Sequence, residues 1–297
     1  MYPRAFRYHR ASSLQEAAAL LSQLGEEAQL LAGGQSLIPL MKLRLASPPD
    51  VVDLNFVPGV SYVKEDNGML RFGPLTRHSE IEISELAGRV PILHDCAAGI
   101  ADVQVRNRGT IGGSLAEADP SGDWAVVLSV LEAKIRCMGT ARERVVPLPN
   151  FVQDAYTTAL AHDELVKEIV VSIPPTGSGG AFLAFKRAAP VYPTASAAVQ
   201  LTLEEGVCKQ AAVALGCVGL TAIQAREAAD ALRGQHITGK VIATAAEAAR
   251  AAADPQSDLR GSADYKRALV AALAGRAIQI AERRARGESV EVGHIYA

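Results

Sequence analysis

Two short glycine loops constrain this chain more than any other feature. The first, Leu30-Leu31-Ala32-Gly33-Gly34-Gln35-Ser36, is an apolar run that stops at paired glycines followed by two polar residues. It reads as a buried strand ending in a tight turn. Paired glycines let the backbone turn sharply and come close to a ligand, and successive unpaired N–H groups in such a turn form an anion-binding concavity. Ser36 adds a hydroxyl donor. A single Gly-Gly after a strand is commonly an ordinary turn, but a second loop, Arg108-Gly109-Thr110-Ile111-Gly112-Gly113-Ser114, repeats the pattern downstream. Two such loops can grip the two halves of a pyrophosphate. A Cβ branch at Gly34 or Gly112 is then expected to block close approach of backbone to phosphate while leaving the chain folded.

The rest of the composition narrows the class. With 297 residues, 49% hydrophobic and 21% charged, the chain is long enough for two domains with a sizeable core. A net charge of −2 and no dense Lys/Arg block argue against nucleic acid or an anionic membrane as main partner. The N-terminus lacks an apolar signal region and no stretch is long enough to span a membrane, so the expected place is cytoplasmic, with association at the inner face of a membrane left open. Cys96, Cys137, Cys208 and Cys217 lie far apart with no C-x-x-C, and read as free thiols. His9, His78, His94, His162, His236 and His294 are scattered without metal-ligand spacing, and read as structural or surface residues.

Local patterns order the chain. Ser13-Leu14-Gln15-Glu16 predicts a capping box opening a helix through Leu24, with Gly25 as its stop. Leu37 to Arg44 reads as a short helix and Val51 to Leu54 as a strand, a small βαβ-like unit around the first loop. Asn67-Gly68 predicts a type I′ hairpin between Val60–Val63 and Met69–Phe72, so the sheet is mixed rather than Rossmann-like. Thr76 or Ser79 caps one helix carrying Ile81, Ile83 and Leu86, and Pro91 starts another through Ile100. Arg106 and Arg108, just before the glycines of the second loop, could serve phosphate but read rather as solvated or paired surface charges. Asp123 falls in the first turn of the helix of Trp124, Val127, Leu128 and Leu131, where it either favours the helix dipole or accepts hydrogen bonds from ligand hydroxyls. Strands at Lys134–Cys137 and Leu165–Val171 flank a helix starting near Asn150. Pro174-Pro175 and the Gly/Ser run to Gly180 mark a flexible boundary. Beyond it, Ala181–Phe185, Ala195–Leu203 and Val207–Gly216 predict three antiparallel strands, followed by helices over 222–232, 240–253 and 262–284.

On the two motifs Ala32-Gly33-Gly34-Gln35-Ser36-Leu37 and Thr110-Ile111-Gly112-Gly113, the chain resembles the FAD-binding medium subunits of molybdenum hydroxylases over nearly its whole length. The resemblance implies an α+β fold: a two-part FAD domain of the vanillyl-alcohol-oxidase type over 1–175 (parts of about 1–55 and 56–175), a linker at 176–180, and a C-terminal α+β domain over 181–297. It implies that both loops embrace the FAD diphosphate. It further implies that Asp123, in the segment of Asp119, meets the ribityl chain, that Glu164 and Leu165 lie near the adenine, and that Lys186 and Tyr192 lie beside the flavin ring. Tyr192 as a flavin shield stands against a half-buried tyrosine with its hydroxyl paired. Two positions depart from the family pattern: Ser114 stands where Asn is common, and Val191 where Asp is usual, in a loop stiffened by Pro190 and Pro193.

The implied function is electron transfer, from two [2Fe–2S] clusters on a small partner subunit to FAD and then to an external acceptor. A molybdopterin subunit oxidises the substrate, in a dimer of heterotrimers. No acid/base or nucleophile set accompanies the loops, consistent with the protein supplying orientation while the flavin carries the redox step. The rival readings are a stand-alone flavoenzyme and a flavin-free assembly subunit.

Overall fold

A computed structural model of the chain describes residues 2–293; His294 lies outside them. The N-terminal unit comprises β1 (Arg7–Arg10), α1 (Leu14–Leu24), β2 (Gln29–Leu31), α2 (Leu37–Leu43) and β3 (Asp50–Asp53). Its sheet is parallel with order β1-β3-β2, which makes β2-α2-β3 the expected crossover. Ser13 caps α1, accepting from the Glu16 N–H at 3.0 Å. The Glu16 carboxylate accepts from the Ser12 N–H at 2.8 Å, so the reciprocal half of the box is displaced by one residue. Leu14, Ala17, Ala18 and Leu21 form the buried face of α1, and Gly25 ends it at φ +83°. β1 has no apolar alternation and was not predicted.

The second unit holds β4 (Val63–Asp66), β5 (Met69–Phe72), the helices α3 (His78–Glu82), α4 (Glu85–Gly88), α5 (Pro91–Gly99), α6 (Val103–Arg106), α7 (Ile111–Glu117) and α8 (Asp123–Val130). It continues with β6 (Lys134–Met138), β7 (Glu143–Pro147), α9 (Leu148–Phe151), β8 (Val152–Asp154), β9 (Thr157–Thr158) and β10 (Leu165–Ser172). Its five-stranded sheet runs β4-β5-β10-β6-β7, all antiparallel. Asn67 and Gly68 take φ of +52° and +74°, as a type I′ turn requires. The single helix expected from Thr76 or Ser79 is instead two. Arg77 precedes α3, and Ser84 breaks the run and caps α4, accepting from the Ala87 N–H at 3.3 Å. Thr76 is buried and its Oγ1 donates to the Tyr62 carbonyl at 2.8 Å, so it ties strands rather than capping a helix.

The C-terminal unit comprises β11 (Ser178–Phe185), β12 (Ala195–Glu204), β13 (Val207–Gly216), β14 (Ile223–Gln224), α10 (Arg226–Leu232), α11 (Gly239–Ala252) and α12 (Ala263–Ala285). The three expected strands are antiparallel neighbours, with the short β14 added at the edge. β11 opens at Ser178, so the stretch expected to be a flexible linker is partly strand. A Cβ on Gly179 would collide with the Ala281 carbonyl of α12, which shows why glycine is needed there. The sheet is covered on both sides. Phe182, Ala198 and Ala214 join the core containing Ile92 of α5 and Trp124 and Val126 of α8. Ala181, Ala197, Val199 and Leu215 pack with Ala228, Ala249, Ala277 and Ile278 of the three C-terminal helices. β12 is therefore buried almost continuously, without the alternation of a one-faced strand.

Candidate functional site

The two glycine loops meet. Loop one runs from the end of β2 into α2, and Gly34 takes φ +73°, where a side chain is strained. A Cβ on Gly33 would strike the Arg108 carbonyl and lie 2.8 Å from Gly109 Cα, so the backbones of the loops touch at that point. Asn55 and Arg77 hold them there. Asn55 Nδ2 donates to the Ala32 carbonyl at 2.8 Å, Arg77 Nη2 donates to Asn55 Oδ1 at 2.6 Å, and Arg77 Nη1 donates to the Arg108 carbonyl. Asp53 Oδ1 orients Asn55 by accepting from its Nδ2 at 2.6 Å.

The loops differ in what they offer a ligand. The N–H groups of Gly33, Gly34, Gln35 and Ser36 donate to no group among the described residues, and these residues line a cleft of about 270 Å³. That is the expected concavity. In loop two, the Ile111 N–H donates to the Thr76 carbonyl at 3.0 Å, Gly112 N–H to the Pro74 carbonyl at 3.0 Å and Ser114 N–H to the Thr110 carbonyl at 3.0 Å. Thr110 caps α7, its Oγ1 accepting from Gly113 N–H at 3.1 Å. The amides of Ile111, Gly112, Gly113 and Ser114 are thus spent on the fold. A Cβ on Gly112 would come 2.5 Å from the Pro74 carbonyl, so this glycine is small for the sake of the Pro74 backbone and not for a phosphate. What loop two presents to the cleft is Gly109, Thr110, Gly113 and the side of Ser114.

The cleft runs on between Asp119 and Asp123, from the α7–α8 region, and Lys186 and Tyr192, from the end of β11 and the loop after it. Asp123 is buried and its Oδ1 has no hydrogen-bond partner. Burial pushes its pKa up to about 6, against the pull of Lys186 and with help from Asp119. Lys186 Nζ donates to the Gly99 carbonyl. Asp119 Oδ1 accepts from the Ser121 N–H at 2.8 Å, fixing the turn before α8. Tyr192 is half-exposed; Arg260 Cζ sits 5.8 Å from its ring centroid, and desolvation and the Asp119 carboxylate raise its hydroxyl pKa. Pro190, Val191 and Pro193 complete that wall, and Ile100 and Val105 add apolar surface.

The structure brings together Ala32, Gly33, Gly34, Gln35, Ser36, Leu37, Thr110, Gly113, Ser114, Asp119, Asp123, Lys186 and Tyr192 around one cleft. Ile111 and Gly112 lie behind it in the packed interior. Glu164 and Leu165 do not line it. Glu164 accepts from Arg144 Nε at 2.8 Å and from the Ala161 N–H at 2.9 Å, while Leu165 is buried among Leu14, Leu54 and Leu75. Sequence reading missed the loop tie of Asn55 and Arg77, the contact of Arg260 with Tyr192, and His78. His78 lines the cleft and accepts through Nδ1 from the Trp124 indole N–H at 3.0 Å. None of these carries a local signal, because each acts across a large sequence separation.

A buried carboxylate oxygen without a partner, a row of free N–H groups and apolar walls between them suit a ligand that carries hydroxyls, phosphates and a flat ring, as FAD does. Comparison with known proteins points the same way. The family described as FAD binding domain in molybdopterin dehydrogenase matches residues 4–175, and the CO dehydrogenase flavoprotein C-terminal domain matches 180–281. The carbon monoxide dehydrogenase medium chain of Afipia carboxidovorans is 38% identical over 96% of this chain and 100% of its own length. Subunit alpha of the 6-hydroxypseudooxynicotine dehydrogenase complex of Paenarthrobacter nicotinovorans is 37% identical over 99% and 100%. Among solved structures, carbon monoxide dehydrogenase from Hydrogenophaga pseudoflava superposes with a TM-score of 0.93 at 38% identity, covering 96% of this chain and 99% of that one. Among the described residues no helix is long and apolar enough to cross a membrane, and no His/Cys/Asp/Glu group is arranged to hold a metal. The chain belongs to the family of FAD-binding medium subunits of molybdenum-containing dehydrogenases, the family of the carbon monoxide dehydrogenase medium chain, and is an oxidoreductase subunit.

Proposed function

We propose that this chain binds one FAD without a covalent bond and carries electrons between iron–sulfur clusters of a partner subunit and an external acceptor. The partners are a molybdopterin-binding large subunit and a small subunit with two [2Fe–2S] clusters, assembled as a dimer of heterotrimers. The observation that carries the reading is the pairing of opposite ends of one cleft: free amides at Gly33–Ser36 and the orphaned Asp123 Oδ1. The free amides bind diphosphate oxygens, with Thr110 and Ser114 beside them. Asp123 accepts from ribityl hydroxyls, which replaces the solvation that burial removed. Lys186 and Tyr192 flank the ring end and exclude water from it. FAD, when bound, supplies the redox chemistry, taking and giving electrons singly or in pairs. Neither loop offers a His or Cys side chain to the cleft for attachment of the flavin. We place the domain division where the sequence suggests it, with 1–175 as the FAD domain, 176–180 as the connection and 181–297 as the C-terminal domain, in a cytoplasmic protein.

Two measurements test this. Acid precipitation should leave the yellow chromophore in the supernatant, and flavin retained in the pellet would contradict a non-covalent site. Anaerobic addition of the complex's substrate should bleach flavin absorbance in the assembled complex and leave the isolated chain unchanged. Bleaching of the isolated chain by an organic substrate would favour a stand-alone flavoenzyme.

A further inference from the structure

His78 lies at the first position of α3, behind Gly109 of loop two and against Trp124 of α8. Its ring is buried, yet His78 is part of the cleft wall. The Trp124 indole can only donate, so the 3.0 Å contact makes Nδ1 the acceptor and leaves the ring proton on Nε2. Nε2 makes no hydrogen bond among the described residues. His78 belongs to the lining of the cleft, so the cleft is where this donor can find an acceptor. Its position is narrowly set: a Cβ on Gly109 would lie 2.6 Å from Nε2, so glycine at 109 leaves room for the imidazole. Burial, with Arg77 and Arg106 nearby, holds the His78 pKa down at about 3, which keeps the ring neutral with one donor and one acceptor.

We propose that His78 is a ligand-binding residue, donating through Nε2–H to an oxygen in the diphosphate–ribityl stretch of FAD between the loops and Asp123. The proposal rests on the FAD reading of the cleft. Trp124 acts as a positioning residue, because its N–H selects the tautomer that presents the donor. Since Trp124 follows Asp123 directly, the same turn of α8 supplies an acceptor to the ligand and fixes a donor opposite it.

The test compares two isosteres in the full chain. The amide of Asn can supply an acceptor near Nδ1 but reaches no donor to Nε2, whereas the amide of Gln can place an N–H near Nε2. FAD is titrated into flavin-depleted protein and followed by quenching of its fluorescence. His78→Asn should weaken FAD binding at least about tenfold, and His78→Gln by less than about threefold. Wild-type affinity in His78→Asn would overturn the proposal. So would equal losses in both variants, which would assign the effect to the ring's packing. A second readout does not depend on either variant folding. In protein labelled with ¹⁵N-histidine, the His78 ring, assigned through its contact with the Trp124 indole proton, should be the Nε2–H tautomer and its Nε2 resonance should shift on adding FAD. An unshifted resonance in protein that has bound FAD would refute the role of His78. Failure of the wild-type chain to take up FAD at all would instead refute the reading of the cleft.

Discussion

At the scale of single residues, the site costs the empty fold stability at its most useful position. Asp123 has a pKa of about 6 in the folded chain, pushed up chiefly by burial, against about 3.8 when exposed. A carboxyl whose folded pKa is raised stabilises the fold fully below its unfolded value, and loses that stabilisation as pH rises through the folded one. The flavin-free chain should therefore lose stability between about pH 4 and pH 6, by on the order of 1–3 kcal/mol. Asp123→Asn should flatten this loss: in urea unfolding of flavin-free protein at pH 8 it should be more stable than wild type, with the gain gone at pH 4. The same variant should bind FAD more weakly, since it lacks the anionic acceptor. A variant that gains no stability at pH 8 would show that Asp123 is not a strained, unpaired anion. From the residues alone, Asp123 stood equally as a helix-dipole residue and as a ligand residue, with the family resemblance favouring the second; the partnerless Oδ1, which only packing reveals, supports the ligand reading.

At the scale of elements, local chemistry made most of the chain legible. Ser13 and Gly25 bound α1, Asn67-Gly68 turns the hairpin, and the prolines before β11 and the glycines within the loops mark real changes of direction. What stayed hidden depends on contacts between distant segments. β1 is polar and mostly exposed, held by its ladder to β3, where the exposed Arg7 guanidinium beside Asp50 pulls that carboxyl well below its ordinary range. The two glycine loops look alike in sequence and serve different ends. Gly34→Val should leave a folded chain that has lost most of its flavin, because the left-handed turn that aims the free amides is strained by a branched side chain. Gly112→Val should instead lower the melting temperature markedly with or without FAD, because its side chain meets the Pro74 backbone. Thermal melts with flavin content on the same preparations check both. A Gly112→Val protein that melts like wild type and lacks flavin would restore the simpler expectation that both loops approach phosphate.

At the scale of the whole molecule, the division that the sequence suggests near residue 175 does not divide the core. The third sheet is a middle layer, with α5 and α8 on one face and the C-terminal helices on the other. An ion pair between distant segments, α5 and α12, closes the stack. Arg284 Nη1 and Nη2 donate to Asp95 Oδ2 and Oδ1 at 2.6 and 2.9 Å, with Asp95 also accepting from the Phe182 N–H at 3.2 Å. Their side chains are 7% and 1% exposed. Removing one partner of such a pair strands the other, so Asp95→Asn should cost about 3–5 kcal/mol in denaturant unfolding as one cooperative loss. Two separated transitions, with only one of them moved, would show that the halves fold independently.

The same stack sets an order of events during synthesis. The glycine loops and Asp123 leave the ribosome early, but Lys186 and the Tyr192 wall follow only with β11 and its loop, and Arg284 is separated from Asp95 by 189 residues. Until α12 has emerged, Asp95 lacks Arg284 and the helix-facing side of the third sheet is only partly covered. From the time that sheet has emerged until α12 follows, the nascent chain exposes part of an apolar face to the cell. The last residues of the cleft, to Pro193, hang on a sheet whose other face α12 completes, so cofactor loading belongs late in synthesis rather than when the glycine loops first emerge.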